Sequence, residues 1–186
     1  MVKAKGEEME YFIVEQDRRL DTAIGGQSFP DRLLKGYEYA EEYEVVIVKS
    51  KLEMNYSCII ERPVLLVSDK MRDIFSQFAP EINYKSVVLI DTVRQLQLLY
   101  SIMQLKEIPH TVRSDLSRGV QPSDELLLNE SLVGDLSIFK MPYFQSSYLI
   151  VRIGVAEELL RRNLYGLKLR RIQSIREGDP NGYSSV

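Results

Sequence analysis

Residues 64–75 read VLLVSDKMRDIF, and this stretch decides the fold class. An apolar run ends at Val67, Ser68 is a natural helix N-cap, and Asp69 favours the first helical turn. Four apolar residues then recur at the spacing of one helical face, namely Met71, Ile74, Phe75 and Phe78. Because Pro80 cannot continue a helix, the pattern predicts a strand followed by one short amphipathic helix that lies on a sheet.

A second stretch, residues 148–162, repeats this arrangement 84 positions later without gaps. The aligned apolar pairs are Leu65 with Leu149, Val67 with Val151, Met71 with Val155 and Phe75 with Leu159. Arg161 and Arg162 suit the negative end of a helix dipole, and Asn163 and Gly166 favour helix termination. The repeat predicts two weakly similar strand–helix–strand units, too few for a solenoid.

Several other segments are rich in β-branched or alternating apolar residues and predict strands. They are residues 10–15, 43–49, 55–60, 85–90, 126–128, 137–141 and 167–172. Residues 93–105 alternate between apolar and polar side chains, which favours a strand, although their composition also suits a helix. Residues 21–36 and 109–123 predict loops, the first with one helical turn, and Asn129 can cap a helical turn through Leu132.

These elements predict an α+β fold with a mixed, largely antiparallel sheet and few amphipathic helices. The length of 186 residues fits one domain, which we place at residues 10–176. Residues 1–9 are expected to form a flexible N-terminal arm and residues 177–186 a disordered tail.

Composition excludes several classes of protein. Hydrophobic residues make up 45% and charged residues 27% of the chain, which is typical of a soluble globular domain. With one histidine and one cysteine, the chain alone cannot build a Cys/His zinc site or a disulfide framework. No apolar run is long enough for a transmembrane helix, and no secretory signal is visible at the N-terminus, so we expect no membrane contact. Cys58 beside two isoleucines predicts a buried thiol in a reducing compartment, the cytoplasm.

The net charge of −3 is unevenly distributed, with an acidic first third and a basic last third. The acidic part argues against nucleic-acid binding by the whole chain. A basic group near the C-terminus allows two interpretations, a phosphate-binding patch or a solvated helix end, and the second is favoured. The group comprises Arg161, Arg162, Lys168, Arg170 and Arg171.

The sequence contains no assembled catalytic set, and we predict no catalytic, cofactor-binding or metal-ligating residue. Gly25-Gly26 lacks the spacing of both common phosphate-binding glycine motifs. His110 lies in a predicted loop, where its distance from Ser114 and Asp115 along the chain fixes no geometry. The clusters of acidic residues match no calcium-binding loop, so a solvated surface explains them best.

One acidic cluster is interleaved with tyrosines and is the candidate partner surface. Its residues are Tyr37, Tyr39, Glu41, Glu42 and Glu44. Tyrosines are enriched at protein interfaces, and acidic charge would attract a basic partner. Tyrosines also suit a sheet, so the pattern has a structural explanation as well. The cluster leads into the predicted strand 43–49, where Glu42 and Glu44 are expected to share one solvated face.

Four segments, taken in order, carry a resemblance to a known family. They are EYFIVEQD (10–17), IIERPVLLVSDKM (59–71), SIFK (137–140) and LIVRIGVAEELLRRNLYG (149–166). Together they resemble a bacterial family, formerly a domain of unknown function, that belongs to the immunity proteins of polymorphic toxin systems. The resemblance implies a cytoplasmic, non-enzymatic protein that binds and neutralises a cognate toxin. It implies no catalytic residue and does not identify the toxin.

Two other functions are compatible with the sequence. The first is a structural or regulatory interaction module of a mobile element, for which a homodimer is one expected form. The second is a small ligand-binding or enzymatic domain that uses scattered carboxylates. A deep polar pocket that contains His110 or several convergent carboxylates would favour the latter.

Overall fold

The computed structural model of this protein describes residues 9–20, 29–50, 55–112, 126–143 and 146–175. These residues form eleven strands and four short helices, which confirms the predicted α+β class. The strands are β1 (Tyr11–Gln16), β2 (Tyr43–Val48), β3 (Ile59–Ile60), β4 (Leu66–Ser68), β5 (Tyr84–Asp91), β6 (Leu96–Met103), β7 (Thr111–Val112), β8 (Leu126–Asn129), β9 (Ile138–Tyr143), β10 (Ser146–Arg152) and β11 (Leu167–Ile175). The helices are α1 (Asp31–Leu34), α2 (Asp69–Phe78), α3 (Glu130–Val133) and α4 (Ile153–Arg161).

The strands are divided between two mixed sheets, where the sequence analysis expected one. Sheet A has the order β7-β8-β11-β1-β10-β9, and sheet B has the order β2-β5-β6-β4-β3. Among the described strands, only β2 with β5 and β8 with β11 pair in parallel. The other pairs are antiparallel, as predicted.

The two strand–helix–strand units have the same topology. In sheet B, the first unit is β4, α2 and β5. β6 lies between β4 and β5 in the sheet and is antiparallel to both. In sheet A, the second unit is β10, α4 and β11, and β1 lies between β10 and β11, antiparallel to both. Each unit is therefore a split β-α-β motif with an antiparallel strand inserted between its two parallel strands.

Helices α2 and α4 contact each other, and one hydrophobic cluster joins both units. Met71 and Phe75 from α2 and Val155 and Leu159 from α4 are all fully buried in it. These are the residues that the sequence repeat aligns, and their burial confirms this part of the predicted apolar faces. Burial of each such side chain contributes on the order of 1.5–3 kcal/mol to the stability of the folded state. Phe78, the last residue of the predicted α2 face, is 37% exposed, and Leu160, next to Leu159 on α4, is 64% exposed.

Several local predictions can be compared directly with the structure. Residues 96–103 form β6, which confirms the strand interpretation of that region. The Asn129 side chain accepts a hydrogen bond from the Ser131 N–H at 3.0 Å and caps α3 as predicted. Ser68 occupies the N-cap position of α2 as predicted, although its side chain makes no capping hydrogen bond. Residues 1–8 of the arm and the whole predicted tail lie outside the described residues, as does most of the loop at 109–123.

The loop after α4 connects the two sheets. Gly166 has φ of 78° and its carbonyl oxygen accepts a hydrogen bond from the Asp17 N–H at 2.8 Å. The same oxygen accepts from the Ser57 hydroxyl at 3.2 Å, and the Tyr165 carbonyl accepts from the Cys58 N–H at 2.8 Å. Glycine is favoured here because it adopts positive φ without strain and lets the two backbones approach closely.

Candidate protein-binding surface

The segment between α1 and β2 carries most of the predicted partner surface. α1 is anchored by Leu33, which is fully buried in one cluster with Phe29 and residues of β2. The C-cap of α1 is Lys35, and Gly36 follows it with φ of 99°. Five residues that follow form what we call the tyrosine–glutamate cluster. They are Tyr37, Glu38, Tyr39, Glu41 and Glu42.

Within the cluster, four side chains face solvent and one is half-buried. Tyr39 is 64% exposed, and the three glutamates are also exposed. Tyr37 packs against the core of sheet B, and burial raises its pKa, with a further contribution from Glu42. Lys85 lies over the Tyr37 ring, with its Nζ 4.6 Å from the ring centroid, and donates to the Tyr37 and Ala40 carbonyls at 3.0 and 2.8 Å. The Lys85 ammonium therefore fixes the backbone of the cluster to the sheet.

Glu44 does not belong to this exposed surface, and the expectation that it shares a solvated face with Glu42 is wrong. Its side chain points inward from β2 and only 1% of the residue is exposed. Its Oε1 accepts from Arg32 Nε at 2.7 Å and from the Glu41 N–H at 2.9 Å. Burial acts to raise the pKa of Glu44, but these hydrogen bonds outweigh it and hold the pKa below its usual range. Glu44 thus ties α1 to β2.

Tyr37 and Glu38 also line a cleft of about 940 Å³ between sheets A and B. Its apolar lining residues are Val14, Phe29, Val64, Leu65, Ile102, Met103, Leu105 and Leu149. Its other lining side chains are mainly charged or polar, namely Arg18, Lys35, Glu61, Arg62, Gln104, Lys140, Ser147 and Tyr148. Protein interfaces likewise combine apolar and polar residues.

Both carboxylates that line the cleft have a bonding partner there. Arg18 and Glu61 form an ion pair at 3.3 Å across the junction of the sheets. Glu38 accepts a hydrogen bond from Gln104 Nε2 at 2.9 Å. His110 is not among the residues that line the cleft.

The reactive residue types lie apart from the cleft. Cys58 is buried, and its burial raises the pKa of the thiol to about 12, so the thiolate is scarce at neutral pH. The His110 ring packs edge-on against Tyr143, with 5.0 Å between centroids. Within the described residues, no group of three or more His, Cys, Asp or Glu side chains is placed to hold a metal ion.

The basic group near the C-terminus is compensated by nearby carboxylates. Glu158 bonds both Arg161 and Arg162, at 2.6 and 2.7 Å. Three further ion pairs join Lys168 and Arg170 to Glu15 and Arg171 to Glu10. The group therefore presents less net charge than the sequence suggests, in line with the solvated-surface interpretation.

Two features of the surface were missed by the sequence analysis. The first is the cleft, whose lining residues come from many separate segments. The second is the outer face of β2, where Tyr43, Val45 and Ile47 are 77%, 52% and 57% exposed. A signal for the second feature was available, because the run VVIV at 45–48 is apolar on both faces, as in strands that are covered on both sides.

Comparison with known proteins does not assign this chain to a family. The chain matches no protein-family model and no curated protein. Among the described residues, no helix has the length and apolar character that crossing a membrane requires.

Proposed function

We propose that this protein is a non-enzymatic protein-binding domain, similar to an immunity protein, that binds and neutralises a cognate bacterial toxin. The observation that carries the proposal is the exposed tyrosine–glutamate cluster, two of whose residues, Tyr37 and Glu38, line a cleft with both apolar and polar walls. The resemblance of the sequence to immunity proteins gives the class of partner.

The chemistry of the surface supports a partner with a basic, protruding segment. Three exposed glutamates lie within five residues of one another, one of them, Glu38, lines the cleft, and an attractive field of this kind speeds association with a basic partner. The exposed ring of Tyr39 provides a large contact area with few rotatable bonds, which is typical of residues that dominate binding energy. The apolar residues that line the cleft would accept a side chain of the partner once water is displaced.

The test is co-expression with the product of the adjacent gene, followed by affinity capture and a growth assay. We expect the protein to bind that product and to protect the cells from it. The double variant Tyr39→Ala/Glu42→Lys should weaken the complex at least about tenfold, because it removes an exposed anchor and reverses a charge.

A matched control is Glu157→Lys, which reverses an exposed charge on α4, away from the cleft lining. It should bind as tightly as the unaltered protein. Absence of both binding and protection would refute the proposal. Equal weakening by both variants would show that the tyrosine–glutamate cluster is not the contact surface.

A further inference from the structure

The free edge of β2 carries an inference that goes beyond toxin binding and does not depend on it. β2 is the terminal strand of sheet B, and in the described part of the chain no strand pairs with its outer edge. Unpaired edges of this kind readily accept another strand, and natural proteins usually block them with proline, lysine or a bulge. Residues 43–48 of β2 contain no proline and no lysine, and the inward-pointing carboxylate of Glu44 is already paired with Arg32 within the same chain.

The outer face of β2 continues as an apolar surface across the sheet. Val45 lies opposite Val88 of β5, which lies opposite Leu99 of β6. Ile47 lies opposite Ile90 in the same way. Leu99 is 42% exposed, and the two β5 side chains are half-buried. Contiguous exposed apolar surface of this kind marks an interaction site in a soluble protein.

The backbone of β2 fixes which residues can bond a new strand. The carbonyls of Glu42 and Val48 accept from the N–H groups of Ser86 and Thr92, so even-numbered residues bond toward β5. In a parallel pair, successive residues direct their N–H and C=O groups to opposite sides. Odd-numbered residues of β2 therefore direct both groups to the free edge.

The sequence around this edge is complementary to itself. In an antiparallel pair of two copies centred on Val45, Val45 lies opposite Val45 of the second copy and Tyr43 opposite Ile47. This register aligns odd with odd residues, as the backbone requires. Just beyond the ends of β2, the same register brings Glu41 opposite Lys49; both side chains are exposed, and Glu41 is also ion-paired with Arg32 at 3.6 Å within its own chain. Cross-strand pairs of opposite charge and of apolar residues stabilise an antiparallel ladder.

We propose that a second copy of this chain pairs with the β2 edge in this register. The product is a twofold homodimer in which the two B sheets form one continuous sheet. Because the interface is isologous, both copies contribute the same residues and no open edge remains on either β2. The apolar faces of the two copies then lie side by side across the axis.

The test is sedimentation equilibrium of the full chain between about 1 and 100 µM, a range that brackets specific association of moderate strength. We expect a species of twice the chain mass of 21.5 kDa. Val45→Lys should raise the dimer dissociation constant more than about tenfold, because two like charges would then lie opposite each other at the axis. The control Leu160→Lys places the same charge at a 64% exposed leucine of α4 and should leave the dimer intact.

Charge reversal tests the register separately. Glu41→Lys and Lys49→Glu should each weaken the dimer, and the double variant should restore it, because the opposite charges again face each other. Circular dichroism should show the same fold for every variant, since all the altered side chains are exposed. A monomer over the whole range, a dimer unaffected by Val45→Lys, or a double reversal weaker than both single ones would overturn the proposal. No toxin is present in this experiment, so these outcomes leave the proposed function untouched.

Discussion

The split β-α-β units of sheets A and B have the same topology, but their central strands come from different parts of the chain. In sheet B, β6 follows β5 after a turn at residues 92–95, so the central strand is a neighbour in sequence. In sheet A, the central strand is β1, from the opposite end of the chain; its Glu15 bonds Arg170 across 155 positions. The comparison shows that the periodic pattern specifies the unit, while the strand that completes it is selected by tertiary packing.

The two sheets also differ in how their edges are treated. On sheet A, the edge of β9 is bonded by main chain, since the Ile108 N–H donates to the Lys140 carbonyl at 2.9 Å and the Lys140 N–H to the Lys106 carbonyl at 3.0 Å. β9 also contains Pro142, which cannot donate to a further strand. On sheet B, β2 contains no proline, and no strand in the described part of the chain pairs with its outer edge. The outer edge of β9 is therefore poorly suited to pairing with another chain, whereas the outer edge of β2 can accept a further strand.

The largest expected effects come from equivalent core positions of the two units. Phe75→Ala should lower the free energy of unfolding by about 3–5 kcal/mol and Leu159→Ala by about 2–5 kcal/mol, because both side chains are fully buried. Since α2 and α4 share one core, each variant should shift a single unfolding transition. Urea unfolding followed by far-ultraviolet circular dichroism and tyrosine fluorescence measures this. Two separate transitions, of which each variant moves only one, would show that the units fold independently.

A smaller effect is expected at the connection between the sheets. Gly166→Ala should lower the free energy of unfolding by about 2–4 kcal/mol. The substitution would place an alanine at a positive φ, with its Cβ only 3.0 Å from the Ser57 Cα. Gly36→Ala is a control for strain alone, since its φ is also positive but nothing lies within 4 Å of the added Cβ. Gly154→Ala meets only Phe78, at 3.6 Å, and should be neutral or slightly stabilising. Equal destabilisation by all three would contradict the close approach at Gly166.

The smallest effect is a pH dependence at the same connection. Hydrogen bonds from the Arg19 side chain and backbone lower the pKa of Asp17 to about 2 from the usual 3.8. A carboxyl group with a lowered pKa in the folded state stabilises the fold above its unfolded pKa, and this contribution is lost as the pH falls toward the folded value. We therefore expect Asp17→Asn to remove part of the stability loss between about pH 4 and 2. Thermal unfolding across that interval measures it, and Glu157→Gln, an exposed carboxylate, is the control. Identical pH profiles for Asp17→Asn and the unaltered protein would contradict the assignment.

The candidate surface was predicted only in part. Tyr39, Glu41 and Glu42 are exposed where the sequence placed them, and Tyr37 is half-buried beside them. Glu44 was misplaced because its position in β2 gives no information about Arg32, which lies 12 residues earlier and stabilises the buried carboxylate. A buried charge becomes acceptable only when such a partner is present, and that depends on how α1 packs on the sheet.

The sequence by itself determined the α+β class, the helices α2 and α4 with their buried faces, and the duplication that relates them. These features follow from periodicities of neighbouring residues, which reflect one element facing one core. Only the tertiary structure decided the division into two sheets, the central position of β1, the cleft between the sheets and the open edge of β2. Strand pairing joins residues that are distant in the chain, and alternation of apolar residues shows which face of a strand is buried but not which strand lies beside it.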